Sequence, residues 1–285
     1  MLSNIRYLLT RWFDRFMRSA PANKQGTLNK PLVRIIHNFS CTGGTLFAKC
    51  IATQPNVLLL NEIDPYSKLG LNSKQFNPRS IIDLLHQSGD NIDNALIEKI
   101  LCKDIEIIID YCIQSNKRCV LREHTHSVYL VGNAPRNSPN LVTTLRQSFL
   151  IKSVITVRNP IDSYLSLKEF GWIHFEPPTF NEYCLRYLRF LRDYTNVKII
   201  RYEDFVQDSQ SVMSDLCQHL ELDYDPNFIH TFGKFKFSGD SGRSGTTIES
   251  RPRRPYDKDF SMEVATAEAF VDLCQILGYE KKDTL

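Results

Sequence analysis

The chain has 285 residues, with 42% apolar and 24% charged side chains and a formal net charge of +3. That length allows one large α/β domain or two small ones with an ample core, and the composition excludes intrinsic disorder, a collagen-like repeat and a coiled-coil rod. So small a net charge gives no sign of nucleic acid as a partner, but it averages two unlike regions. Residues 1–30 carry Arg6, Arg11, Arg15, Arg18, Lys24 and Lys30 against Asp14 alone, a local +5 that leaves −2 for residues 31–285.

The first predicted element is a basic amphipathic helix. Leu2, Ile5, Leu8, Leu9, Trp12, Phe13 and Phe16 recur at spacings of three and four, with arginines between them. It can pack on its own domain or on a second subunit in a homodimer, lie on an anionic membrane surface through residues 2–18, or serve as a transit segment. A linker with Pro21 and Gly26 follows, up to residue 30. No apolar run reaches the roughly 18 residues of a transmembrane helix, and the N-terminus lacks the apolar core and cleavage site of a signal peptide. The eight cysteines form no C-x-x-C pair and no zinc-finger spacing. They point to reduced thiols, a cytoplasmic setting and no metal.

From residue 31 the pattern becomes β-α-β-α. Short β-branched or apolar runs at 32–39, 57–60, 119–122, 153–157 and 197–202 read as five strands. Helical periodicity appears at 44–53, 78–87, 94–115, 161–170 and 180–194, onward to about Leu222, and finally as one helix over 261–277. Alternation of this kind predicts a three-layer α/β domain over 31–285, with a central parallel sheet between helices, like that of P-loop nucleotide-binding proteins. Ligands of such sheets bind beyond the C-terminal strand ends, which directs attention to the loops after the first, third and fourth strands.

After the first strand the sequence runs Ser40-Cys41-Thr42-Gly43-Gly44-Thr45-Leu46. Small residues entering a helix make an anion cradle, because backbone N–H groups and the helix dipole point at the ligand. The nucleotide-triphosphatase fingerprint fails, since its Lys would fall on Gly44. After the fourth strand comes Arg158-Asn159-Pro160, with Asp162 and then Ser166 about two helical turns later. Arg offers a forked permanent cation and Ser a hydroxyl, a pair suited to clamping one phosphate.

These two segments together resemble the sulfotransferases that use 3′-phosphoadenosine 5′-phosphosulfate (PAPS). Cys41-Thr42-Gly43-Gly44-Thr45-Leu46 is similar to the family's 5′-phosphosulfate loop, and Arg158 with Ser166 to its 3′-phosphate element. Gln54-Pro55-Asn56-Val57 through Asn61-Glu62, and Arg201-Tyr202-Glu203-Asp204, resemble further family segments, the second implying that Tyr202 touches the adenine. Gly242-Arg243 followed by Arg251, Arg253 and Arg254 resembles the late loop that closes on the 3′-phosphate. The resemblance spans about residues 32–255. It implies transfer of a sulfuryl group to a hydroxyl or amine, with a small-molecule or glycan acceptor and no metal.

The chain departs from that pattern at Cys41, where the family carries Lys or Arg. Losing one charge-assisted hydrogen bond to the departing group costs roughly 1.5–3 kcal/mol, or about 10- to 150-fold in rate. An alternative reading is therefore a catalytically impaired, nucleotide-binding relative. Arg122, ending the third strand, is the expected replacement cation, whereas Lys49, a turn beyond Thr45, is expected to lie too far along its helix. Arg122-Glu123-His124 resembles the element that carries the family's histidine base. His124 is thus the first candidate base, with Glu62 and His126 as alternatives. The aromatic stretch 171–178 is either a lid over the acceptor or a turn packed on the core.

Overall fold

The computed structural model describes residues 30–67, 69, 80–88, 91–237 and 247–279. Contacts divide the chain after Lys30, and the description below concerns the unit from Pro31 onward. The amphipathic helix expected over 2–18 lies outside the described residues.

Strands β1 (Leu32–Asn38), β2 (Val57–Ile63), β3 (Arg118–Glu123), β5 (Leu150–Val157) and β7 (Lys198–Arg201) form one sheet in the order β2-β3-β1-β5-β7. Every pairing in it is parallel. Its middle strand β1 is buried from Val33 to Asn38, as a strand covered on both faces must be. Two short strands, β4 (Val131–Gly132) and β6 (His174–Phe175), form a separate parallel pair that the sequence pattern does not reveal.

The helices run α1 (Gly44–Ala52), α2 (Ile81–Gln87), α3 (Asn94–Gln114), α4 (His126–Tyr129), α5 (Leu141–Leu145) and α6 (Pro160–Glu169). They continue with α7 (Phe180–Asp193), α8 (Tyr202–Gln207), α9 (Ser209–Leu220), α10 (Phe228–Thr231), α11 (Lys258–Thr266) and α12 (Glu268–Leu277). Among the described residues, none is long and apolar enough to cross a membrane. The single C-terminal helix expected over 261–277 is in fact two. It breaks at Ala267 (φ −76°, ψ 101°), where Asn181 Oδ1 on α7 accepts from Ala269 N–H. The break has a tertiary cause, so no Gly or Pro marks it in the sequence.

One core layer is built around α7, whose buried face carries Phe180, Tyr183, Tyr187 and Phe190. Phe39, at the end of β1, stacks on Tyr187 with ring centroids 4.3 Å apart and also meets Tyr183 and Phe190. This aromatic floor lies directly beneath the loop after β1 and fixes its height. Arg186 on the same helix is 1% exposed. Its guanidinium donates to the carbonyls of Tyr129, Gly132 and Glu176 and pairs with Glu182. It thereby ties the β4–β6 pair to α7, with each of its three nitrogens donating to at least one acceptor.

Candidate active site

The C-terminal edge of the sheet opens into a cavity of about 310 Å³. The loop after β1 forms one wall. Cys41 (φ 63°) and Gly43 (φ 88°) both take left-handed conformations, and Gly43 caps α1. A Cβ on Gly43 would lie 2.5 Å from the Tyr202 ring, and one on Gly44 2.2 Å from the Asn38 side chain. Glycine is thus required twice by close approach and once by backbone angle. Cys41, Gly43, Gly44, Thr45 and Leu46 line the cavity, and an α-helix does not itself use the N–H groups of its first turn. Thr42, expected to contact the nucleotide, instead turns inward. It is 0% exposed and its hydroxyl donates to Phe39 O and Thr156 O, which pins the loop to β1 and β5.

The segment after β5 divides into structural and cavity-facing residues. Asn159 caps α6 by accepting from Ile161 N–H, and its own N–H donates to Glu203. Asp162 pairs with Arg253 at 3.0 Å. Arg253 was expected at the nucleotide but does not line the cavity, whereas Arg251 does. Arg254 sits near Glu169 at 3.7 Å, and Arg243 lies outside the described residues. Arg158 and Ser166 both face the cavity, with Arg158 Nη1 3.5 Å from Ser166 Oγ and 3.4 Å from the Cys41 carbonyl. The Arg158 guanidinium also lies over the Tyr202 ring, 4.8 Å from its centroid.

The opposite wall comes from β2, β3 and the turn after β3. A bulge between Leu60 and Ile63 puts Glu62 in the left-handed region (φ 61°) and brings its carboxylate into the cavity. There it meets Arg122 Nη1 at 2.5 Å and His124 Nε2 at 3.5 Å. Arg122 is 4% exposed and also donates to Asn38 and Asn61. It lines the cavity, but with its charge already paired. Lys49 lines the cavity as well, contrary to the expectation that it sits too far along α1. Four residues after Thr45, it lies on the same helical face, and that spacing is the signal the sequence offered.

His126 is the weakest of the candidate bases. Its Nδ1 bonds Ser40 Oγ at 2.9 Å and its Nε2 bonds His174 Nδ1 at 3.0 Å. Burial, then His124 and His174, pull its pKa down to about 3. The 171–178 stretch contributes to both the core and the cavity wall. Phe175 is buried beneath Arg186, while Trp172 and His174 line the cavity.

Among solved structures, the sulfotransferase domain of the Synechococcus PCC 7002 olefin synthase superposes over 90% of this chain and 98% of its own, with a TM-score of 0.51 and 14% identity. The fold is a sulfotransferase fold. A sulfotransferase from Alicyclobacillus acidocaldarius also aligns (89% and 98% of the chains, TM-score 0.40, 14% identity). So does mouse sulfotransferase SULT7A1 complexed with PAP (86% and 85%, TM-score 0.41, 14% identity). No protein-family model and no curated protein matches the sequence. In sulfotransferase-fold terms, the five-stranded parallel sheet supplies the platform, and the cavity stands at the C-terminal ends of its strands.

Proposed function

We propose that the chain is a PAPS-dependent sulfotransferase acting on a hydroxyl or amine of a small-molecule or glycan acceptor. One observation carries the reading: a helix N-terminus built on required glycines and an Arg–Ser pair line the same cavity, with a histidine and a carboxylate facing them. Two anion subsites on either side of an aromatic ring suit a nucleotide bearing phosphates at both its 5′ and 3′ positions. The loop Cys41–Gly43–Gly44–Thr45–Leu46 takes the 5′-phosphosulfate, Arg158 and Ser166 take the 3′-phosphate, Tyr202 faces the adenine, and Arg251 approaches from the late loop. Sulfuryl transfer then needs a base for the acceptor's proton, which is His124, and a cation near the departing oxygen. Lys49 and Arg122, which both line the cavity, are the candidates for that cation.

The test is isothermal titration with adenosine 3′,5′-bisphosphate, followed by transfer of labelled sulfate from PAPS to an acceptor panel. Micromolar or tighter binding that Arg158→Ala weakens by about 10- to 150-fold is expected. Absence of binding, or binding indifferent to Arg158→Ala, sinks the reading. Binding without transfer to any acceptor assigns the chain to the impaired, nucleotide-holding class.

A further inference from the structure

Behind His124 stands a set of polar residues that the proposed chemistry does not use. Ser127, on the first turn of α4, has its Oγ 3.0 Å from His124 Nδ1 and 3.0 Å from the His124 carbonyl, and donates to Asp64 Oδ2. Asp64 sits just beyond β2. Its two carboxylate oxygens accept from Arg136 Nη2 at 2.7 and 2.8 Å, and Oδ1 also accepts from Tyr66 N–H. The Asp64 side chain is 4% exposed.

A hydroxyl has one proton to give. The Asp64 carboxylate, held by Arg136 Nη2, and the His124 carbonyl can both only accept, so the Ser127 proton goes to one of them, and Asp64 makes the shorter contact. The Ser127 oxygen is then left as an acceptor opposite Nδ1. A bare Nδ1 would set lone pair against lone pair at 3.0 Å, a closer contact than the 3.5 Å from Nε2 to Glu62 Oε2, so the proton of the neutral ring sits on Nδ1.

We propose that Ser127, backed by Asp64 and Arg136, holds His124 in the Nδ1–H tautomer and so turns the Nε2 lone pair toward the cavity as the proton acceptor. These three are positioning residues, acting through His124. The chemical role rests on the transfer reading above, whereas the tautomer does not. In the reaction, the acceptor's O–H proton passes to Nε2 as its oxygen forms the bond to sulfur. The bond from sulfur to the bridging oxygen breaks, and its electron pair leaves on the 5′-phosphate. The imidazolium then donates from Nδ1 to Ser127 and from Nε2 toward Glu62 Oε2, 3.5 Å away. Glu62 thus serves as the counter-charge of the base, which gives both candidate residues a role.

The decisive variant is Asp64→Asn. Arg136 demands the amide oxygen, which leaves the amide NH₂ facing Ser127. The Ser127 hydroxyl then accepts from Asn, and its released proton divides between Nδ1 and the His124 carbonyl, so the tautomer with the proton on Nε2 becomes populated beside the wild-type one. Nitrogen-15 chemical shifts of the neutral ring, recorded on the full chain with labelled histidine and assigned against His124→Gln, read this directly. Wild type is expected to show a protonated Nδ1 and a bare Nε2, and Asp64→Asn and Ser127→Ala each a mixture of the two tautomers. Ser127→Thr, which keeps the hydroxyl, is expected to retain the wild-type pattern and pH–rate profile. With the lone pair misdirected in part of the molecules, kcat in Asp64→Asn should fall while the bisphosphate Kd is unchanged, the limit being the roughly 10⁴-fold loss seen when a serine-protease histidine is forced wholly into its wrong tautomer. A protonated Nε2 in wild type, or an unchanged tautomer in Asp64→Asn, overturns the proposal. Should Asp64→Asn fail to fold, a wild-type tautomer ratio persisting in Ser127→Ala overturns it equally. Failure of the wild type to bind the bisphosphate would remove the sulfotransferase reading but leave the nitrogen shifts to decide the relay.

Discussion

Arg122 Nη1 lies 2.5 Å from Glu62 Oε1 inside the cavity wall, so the cation closing β3 is bound to a carboxylate that β2 turns inward through a left-handed residue. Removing one partner of a buried pair leaves the other uncompensated. Glu62→Ala should therefore lower stability by roughly 3–5 kcal/mol in denaturant melts. The double variant Arg122→Met/Glu62→Leu should recover most of that loss. Equal instability in single and double variants would show that the pair is not what Arg122 depends on.

Lys49 also lines the cavity, so it is a second candidate for the charge that the family pattern places at Cys41. Lys49→Met should then lower kcat by about 10- to 150-fold, the worth of one charge-assisted hydrogen bond in the transition state. Adding Cys41→Lys to that variant should restore most of the rate. Steady-state kinetics of the single and double variants decide the point, and an unchanged kcat in Lys49→Met would exclude it from the chemistry.

Arg158 and Ser166 make unequal contributions if they share one phosphate. Arg158→Ala should weaken binding of adenosine 3′,5′-bisphosphate by about 10- to 150-fold, at roughly 1.5–3 kcal/mol for a bond to a charged group. Ser166→Ala should cost only about 2- to 10-fold, at roughly 0.5–1.5 kcal/mol. Acceptor KM should not move in either variant. Calorimetry and kinetics together test this, and a matching loss in acceptor KM would contradict the assignment.

His126 ties stability to pH. Its pKa falls from 6.5 to about 3 because of burial, then His124 and His174. Between those values only the unfolded chain takes up the proton, so stability drops as the pH falls from 6.5 toward 3. The Glu123 carboxyl is pushed up by burial, but His37, Leu141 N–H and Tyr194 outweigh this and hold it below its usual 4.5. Its own acid-linked loss therefore begins only below pH 4.5. The window from pH 6.5 to about 5 reports on the histidine, and there thermal melts of His126→Gln should show a shallower fall than wild type. Parallel curves would remove His126 as the cause.

Gly44→Ala tests the close approach beneath the loop. The added carbon would sit 2.2–2.6 Å from Asn38, whose Oδ1 accepts from Arg122 Nε. Displacing Asn38 should cost about 1–3 kcal/mol of stability, as overpacking does, and weaken bisphosphate binding with it. Wild-type stability and affinity together would show that Asn38 can move aside freely.

The strand–helix alternation and the two loop segments that line the cavity were legible in the sequence because both are local. Buried parallel strands read as short β-branched runs, a Gly–Gly step before an apolar run marks a helix entry, and Arg158 and Ser166 stand a fixed two turns apart. Where helical spacing was applied only as distance along the chain, Lys49 was misplaced, although the i, i+4 rule puts it on the Thr45 face.

What the sequence by itself determined was the fold class, the loops that border the cavity and the residue types in them. Only the tertiary structure decided which of those residues face the cavity. Thr42 and Arg253 were drawn away by Thr156 and Asp162, partners 114 and 91 positions distant in the chain. Glu62 was brought in by a bulge, and Ser127 and Asp64 were set behind His124 from separate elements. The physical reason is the same in each case. A polar side chain takes the partner that satisfies it at lowest cost once water is excluded, and that partner is chosen by packing in three dimensions.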